Sequence, residues 1–287
     1  MEECLFMKIS RDLLSTDHDK VIRYLEDSYN DLIQKYMKQN SSSNKDIPNI
    51  IWVCWWQGLE NAPEIVKVCF ESIKKFAGER KVILITQNNY QDYVDIPDYI
   101  IEKLEKGIIS ITHFSDVLRV NLLSKHGGIW IDATCLLTAN IFKDFIPEFY
   151  TVKLPHNDKE VCISDGKWCI FFMGSSKNNI LFNFLKDFYN EYWKKENSVL
   201  AYFLTDYAIY IAYNKIDEVR HMIDNVPENN ILIHQLKEKL NDEFNITEYN
   251  NILEKNKIHK LAHERKYITN LGNGKETFYG HLLKTTV

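Results

Sequence analysis

The stretch 113–134, HFSDVLRVNLLSKHGGIWIDAT, constrains the fold of this chain more than any other. It reads as a helix, a glycine stop and a buried strand that ends on a carboxylate. Phe114, Val117, Leu118 and Leu122 recur at helical spacing and predict a buried stripe. Asp116 and Arg119 stand three residues apart on another face of the same helix. Lys125 and His126 fall in the last turn, where cations suit the helix dipole. Gly127 can take the left-handed conformation that ends a helix. Ile129, Trp130 and Ile131 then make a short apolar strand, and Asp132 arrives where it runs out, followed by Ala133 and Thr134.

This order predicts anion handling at a sheet edge. In open α/β sheets, ligands bind beyond the carboxyl ends of the strands. Asp132 there can ligate a divalent ion that also takes phosphate oxygens, or bond a nucleotide ribose. Asp116 and Arg119 can grip a polyol from the side, one accepting and the other donating hydrogen bonds. On spacing alone a second reading stays open, in which Asp116 and Arg119 are a surface ion pair and Asp132 a turn residue.

The rest of the chain supplies the setting. At 287 residues with 45% hydrophobic side chains, it can fill a sizeable core and is expected to be globular. A net charge of −5 argues against general nucleic-acid binding, which needs a basic patch, but leaves room for a local basic pocket. Cys4, Cys54, Cys69, Cys135, Cys162 and Cys169 form no CxxC pair, so no zinc signature is present and a reducing compartment fits best. MEECLFMKIS lacks the basic-then-apolar pattern of a signal peptide. The longest apolar run, 199–213, is too short to span a bilayer and is interrupted by Asp206. The expectation is a soluble, cytoplasmic protein, with at most peripheral contact at the inner membrane face.

Residues 17–39 predict an amphipathic helix on Val21, Leu25, Tyr29, Leu32 and Tyr36, with Asp17 as N-cap. It is expected to pack on the domain or on another copy, so a homo-oligomer is one outcome. Residues 41–44 read as a linker. The apolar run 47–56 predicts a strand buried on both faces. A helix with Ile65, Val66, Cys69, Ile73 and Phe76 inward follows, then strand 81–85, a helix opening at Pro97, and a short strand at 108–111. Strands alternating with helices predict a parallel sheet covered on both sides. In the second half, strands at 149–153 and 168–173 give way to helices at 178–195, 199–213, 217–224 and 230–240.

Other residues carry candidate chemistry. Trp52, Trp55 and Trp56 can stack on a nucleobase or fill the core. Gln57 and Gly58 fall in the loop that follows. Asp206 lies among Phe203, Leu204, Tyr207 and Ile209; if buried, it needs a partner or a raised pKa, which makes it a candidate catalytic residue, and facing water on one side of a helix is the alternative. His259, Lys260, His263, Arg265 and Lys266 form a basic cluster, a phosphate site or a solvated tail, in which His259 could ligate a metal. Ser115 can cap the helix.

The chain resembles the capsular polysaccharide synthesis glycosyltransferases, relatives of the enzymes with a DXD sugar-binding region and more distantly of the glucosylating clostridial toxins. The resemblance rests on Ser115-Asp116-x-x-Arg119, Gly127-Gly128, Trp130-Ile131-Asp132-Ala133-Thr134, IPNIIWVCWWQG at 47–58 and IHKL at 258–261, and it covers about 47–261. It implies a GT-A-like α/β fold: a Rossmann-like mixed sheet flanked by helices, with an N-terminal helical extension (1–45) ahead of a glycosyltransferase domain (46–287). That domain would divide into a nucleotide-sugar half (46–140) and a helix-rich acceptor half (141–287). It implies a retaining transfer of a hexose, glucose or galactose, from a UDP-sugar to a saccharide acceptor. Ser115, Asp116 and Arg119 would hold the donor sugar. Trp52 would pack on uracil, with Gln57, Gly58, Asp132, His259 and Lys260 about the nucleotide. The cofactor expected is Mn²⁺ or Mg²⁺ on Asp132 and His259. However, Thr134 stands where the wider superfamily has its second Asp, which leaves that site one carboxylate short. A non-catalytic nucleotide- or carbohydrate-binding protein and a toxin-like protein glycosyltransferase are the rival readings.

Overall fold

The structure, a computed structural model, describes residues 18–39, 46–142, 148–154 and 162–286. Cys4, the expected N-cap Asp17 and the expected linker at 41–44 lie outside the described residues. The helical residues 18–28 run into α1, Asn30–Met37. There follow β1 (Ile50–Cys54), α2 (Glu64–Phe76), β2 (Lys81–Ile85), α3 (Asp98–Glu105), α4 (Ile111–His126), β3 (Gly128–Ile131) and β4 (Cys135–Leu137). The second half holds β5 (Phe149–Thr151), β6 (Phe172–Ser175), α5 (Ile180–Lys195), α6 (Leu204–Lys215), α7 (Asp217–Asp224), α8 (Gln235–Lys239), α9 (Ile246–Lys255), β7 (Ile258–Lys260) and α10 (Phe278–Thr286).

The main sheet runs β2-β1-β3-β6-β5. Its first three strands are parallel, and β6 and β5 extend it antiparallel. This is the mixed, helix-flanked α/β arrangement that the sequence leads one to expect. Strand alternation divides the core in two. Ile51, Val53, Ile129, Ile131 and Phe172 face α2 and the C-terminal helices. Trp52, Trp130 and Met173 face α1, α4, α5 and α6. Both faces of β1 are therefore covered, as its unbroken apolar run requires.

The helix-to-strand turn is built as its glycines suggest. Ser110 caps α4, its hydroxyl accepting from the His113 N–H, so Ser115 is not the cap. Gly127 ends α4 at φ +65°, and a Cβ there would lie 2.7 Å from Lys177 N and 2.8 Å from Ser175 O. Gly128, at φ +94°, leaves a Cβ only 2.7 Å from Ile50 O. The two glycines let β3 enter the sheet directly off the helix.

Some elements differ from expectation. Residues 108–111 form no strand, because Ser110 and Ile111 already begin α4. The helix expected at 199–213 starts only at Leu204, and that at 230–240 shrinks to α8. The patterns at 246–255 and 278–286 are helices that the sequence reading passed over. Most consequential is a second, two-stranded antiparallel sheet, β4 with β7, in the register Cys135↔Lys260. Among the described residues no helix is long and apolar enough to cross a membrane.

Candidate active site

A cleft of about 650 Å³ opens beyond the carboxyl ends of β1 and β3. Trp55, Trp56 and Gln57 reach it as the chain leaves β1; Ile111, Thr112 and Ser115 come from the start of α4. Trp130, Asp132 and Thr134 form its floor, and Tyr202, His234, Lys237, Lys260 and His263 close it from the second half. A smaller crevice of about 230 Å³ lies elsewhere, between α2, β4 and the C-terminal helices, and is walled largely by Phe76, Leu136, Leu253 and Leu282.

Asp132 is the hub. Its Oδ1 accepts from Trp130 Nε1 (2.8 Å) and Arg119 Nη2 (3.2 Å), and its Oδ2 accepts from Lys260 Nζ (2.7 Å). Arg119 also donates to Asp116 Oδ1 (2.6 Å) and lies over the Trp130 ring. Lys260 donates a second bond to Thr134 Oγ1 (2.7 Å). Burial pushes the Asp132 carboxyl up, but Lys260 and Arg119 outweigh it and hold its pKa below the usual carboxylate value. Burial pulls the Lys260 ammonium down, and Asp132 outweighs that, so Lys260 stays charged. At Asp116 burial wins over Arg119 and its pKa is raised. An ion pair with side chains 4% and 10% exposed is not a surface pair, which closes the simpler of the two readings open on spacing.

Lys260 arrives through the small sheet. The β4–β7 register sets it beside the end of β3, the Leu261 N–H bonds Thr134 O, and the Lys260 N–H bonds Ile233 O. The last contact draws His234 and Lys237 to the same cleft. Burial, then Lys237 and Lys260, depress the His234 pKa, so three basic groups converge there.

Several expected site residues lie elsewhere. Trp52 is fully buried, donates its Nε1–H to Gly127 O (2.8 Å) and does not line the cleft. Its alternation within β1 turns it towards α4, so it cannot stack on a base; Trp55 and Trp56, past the strand end, can. His259 neighbours Lys260 on a strand and so faces the opposite way, into the core. Burial, which outweighs a backbone hydrogen bond at Asn256, lowers its pKa to about 4. It is neither a metal ligand nor a nucleotide contact. Gly58 sits in the turn behind Gln57, at φ +81°, and does not line the cleft. Asp116 and Arg119 lie under the floor rather than on it, touching it through Asp132. Asp206 is also beneath, bonded by Trp168 Nε1 (2.9 Å), with its carboxyl pushed by burial to about 7. Arg265 pairs outward with Glu238. Cys54 reaches the wall, but burial lifts its thiol to about 12, so it is no nucleophile.

The donor set does not make a divalent-cation site. Among the described residues no three His, Cys, Asp or Glu side chains converge, and the outward oxygen of Asp132 already receives the Lys260 ammonium. Sequence reasoning does not single out His234 or Tyr202, which stand in turns with no periodicity to read, or Lys237, whose place on α8 does not say which side faces the cleft. The sequence signal near His234 and Lys237 is the IHKL strand, whose Lys260 N–H bonds Ile233 O.

Fold and cleft together define a class: an open α/β protein with a charged cleft at the carboxyl rim of its parallel strands. Residues 2–282 match the capsular polysaccharide synthesis protein family, and the chain belongs to it. No match is found among curated proteins. Among solved structures it is similar to one titled PaToxG Glycosyltransferase, at 13% identity and a TM-score of 0.39, over 87% of this chain and 95% of that one.

Proposed function

We propose that the protein is a retaining glycosyltransferase that moves a hexose, glucose or galactose, from a UDP-sugar to a saccharide acceptor in capsular polysaccharide synthesis. One observation carries this reading: a single ionised carboxylate, Asp132, held between Arg119 and Lys260 on the floor of a cleft whose entrance carries Trp55 and Trp56. An indole offers a flat face to a pyrimidine. Asp132 accepts hydrogen bonds from ribose or sugar hydroxyls, with Arg119 and Asp116 fixing its position. Lys260 and Lys237 meet the diphosphate. The choice of UDP, of hexose and of retention rests on the family resemblance.

In the reaction the bond from the anomeric carbon to the diphosphate oxygen breaks, with an oxocarbenium-like transition state. The electron pair leaves with the diphosphate, whose growing charge is met by the lysines. The acceptor hydroxyl bonds the anomeric carbon from the same face, and its proton passes to the departing diphosphate. Glu264, the other described carboxylate lining the cleft, is exposed and pairs with His263 at 3.3 Å, so among the described residues none stands beside Asp132 as a covalent nucleophile, which supports front-side attack. Tyr202, 65% exposed at the cleft's lip, offers the acceptor an apolar face. A lipid-linked acceptor would place the work at the inner membrane face.

The test is transfer from UDP-glucose and UDP-galactose by wild type and Asp132→Ala. The variant is expected to lose about 10²–10³-fold in kcat, the cost of one well-placed polar group in a transition state. Transfer by the variant at the wild-type rate sinks the site. UDP binding by calorimetry with no turnover on any saccharide would make the protein a binder instead.

A further inference from the structure

The place where a metal would bind is already taken. Lys260 Nζ sits 2.7 Å from Asp132 Oδ2 and 2.7 Å from Thr134 Oγ1, bridging the side chains at the first and third positions past the strand end. This is not a surface lysine that happens to reach over. The β4–β7 pairing fixes its backbone in register with Cys135, the Leu261 N–H locks to Thr134 O, and the ammonium lies over the Phe171 ring at 5.1 Å. Its side chain is 20% exposed, with that remainder facing the cleft it lines.

An ammonium has three N–H donors. Asp132 and Thr134 take two, and the third remains for a ligand in the cleft. A divalent ion on Asp132 Oδ2 would have to share that oxygen with a fixed positive charge, and although Glu264, His234 and His263 also line the cleft, no three His, Cys, Asp or Glu side chains among the described residues converge to hold an ion. Lys237 brings a second cation to the same wall. Two lysines thus supply the two positive charges that a divalent ion would.

We propose that Lys260 is a built-in replacement for the divalent cation, so that the protein binds and releases the diphosphate of its donor without metal. The inference rests on the reading of the cleft as a nucleoside-diphosphate-sugar site, and it assigns to Lys260 and Lys237 the diphosphate itself. Thr134 is part of the device: its hydroxyl accepts from the ammonium at the position where a carboxylate would instead recruit a metal.

The experiment measures UDP affinity by calorimetry for the full chain, in EDTA and in 1 equivalent to excess Mn²⁺, alongside Mn²⁺ binding by electron paramagnetic resonance. Wild type is expected to give the same Kd within about twofold in both buffers, and to leave the Mn²⁺ signal free. Lys260→Met, which keeps the length and packing on Phe171, should weaken UDP at least tenfold, with no rescue by Mn²⁺. Lys260→Arg, which keeps the charge, should lose less than Lys260→Met and also acts as the folding control. In Lys260→Met with Thr134→Asp, where two carboxylates replace one carboxylate and a cation, Mn²⁺ should bind and restore UDP affinity. A wild-type Kd that tightens tenfold or more with Mn²⁺ overturns the proposal while leaving the nucleotide site intact. An unchanged UDP affinity in Lys260→Met overturns it too. Failure of wild type to bind UDP in either buffer overturns the donor reading, and this proposal falls with it.

Discussion

Asp206 shows how a single buried acid can be read from its surroundings. It opens α6 beneath the cleft and accepts a hydrogen bond from Trp168 Nε1. Burial raises its pKa most; the Trp168 bond opposes, Asp116 adds to the rise and Arg119 again opposes, and the result is about 7. In the unfolded chain the same group titrates near 4. Between those values the folded protein holds a proton that the unfolded chain has released, so each rise in pH across the window favours unfolding. The stability from this group is whole below about pH 4 and is lost as pH climbs to about 7. Asp206→Asn carries no such proton and keeps an oxygen for Trp168. Relative to that variant, wild type should lose about 2–3 kcal/mol between pH 5 and pH 8 in denaturant titrations. A difference that stays constant with pH would place Asp206 in water, contrary to the structure. Its location also limits its role: a carboxyl that does not line the cleft positions the floor rather than touching an acceptor.

At the scale of elements, the turn between α4 and β3 carries the greatest constraint. Gly127 sits at φ 65°, ψ −154°, a region essentially closed to side chains, with backbone atoms under 3 Å from any Cβ. Gly127→Ala should therefore cost at least about 2 kcal/mol, more than the roughly 1 kcal/mol gain that Gly-to-Ala brings where the backbone is permissive. Equilibrium unfolding measures it, and a neutral substitution would mean the strand does not enter the sheet this way. This element was the most legible in the sequence, because helical spacing, a glycine pair and an apolar triplet agree. The place of Asp132, and of Asp116 and Arg119 near it, follows from that agreement. The tryptophans were harder to assign. Period-two alternation decides between Trp52 and its neighbours only once the strand is known to end at Cys54. The choice between His259 and Lys260 was harder still. A three-residue strand has no period of its own, and only its pairing with β4, 120 residues earlier in the chain by order of magnitude, sets which side chain faces the cleft.

For the molecule as a whole, the question is how an acidic protein would take the anionic donor proposed for it. Its net charge is −5, so long-range attraction does not favour a diphosphate, and affinity must come from groups inside the cleft. Those groups come from both halves of the chain: Trp55 and Asp132 from the first, Lys237 and Lys260 from the second. A ligand that touches all four ties the α4–β3 side of the sheet to the β4–β7 pair, and is bound only when both are folded. At a concentration 100 times its Kd such a ligand adds about 2.7 kcal/mol to the stability of the folded state. For a chain of this size that corresponds to a rise in Tm of roughly 4–5 °C. UDP should produce it in EDTA as well as in Mn²⁺. CMP should produce less because it lacks the second phosphate that the two lysines would hold, and GDP because the donor proposed for the cleft carries a pyrimidine. Equal shifts with all three nucleotides would mean that phosphate alone is recognised and that the indoles read no base. A shift with none would remove the nucleotide from the cleft altogether.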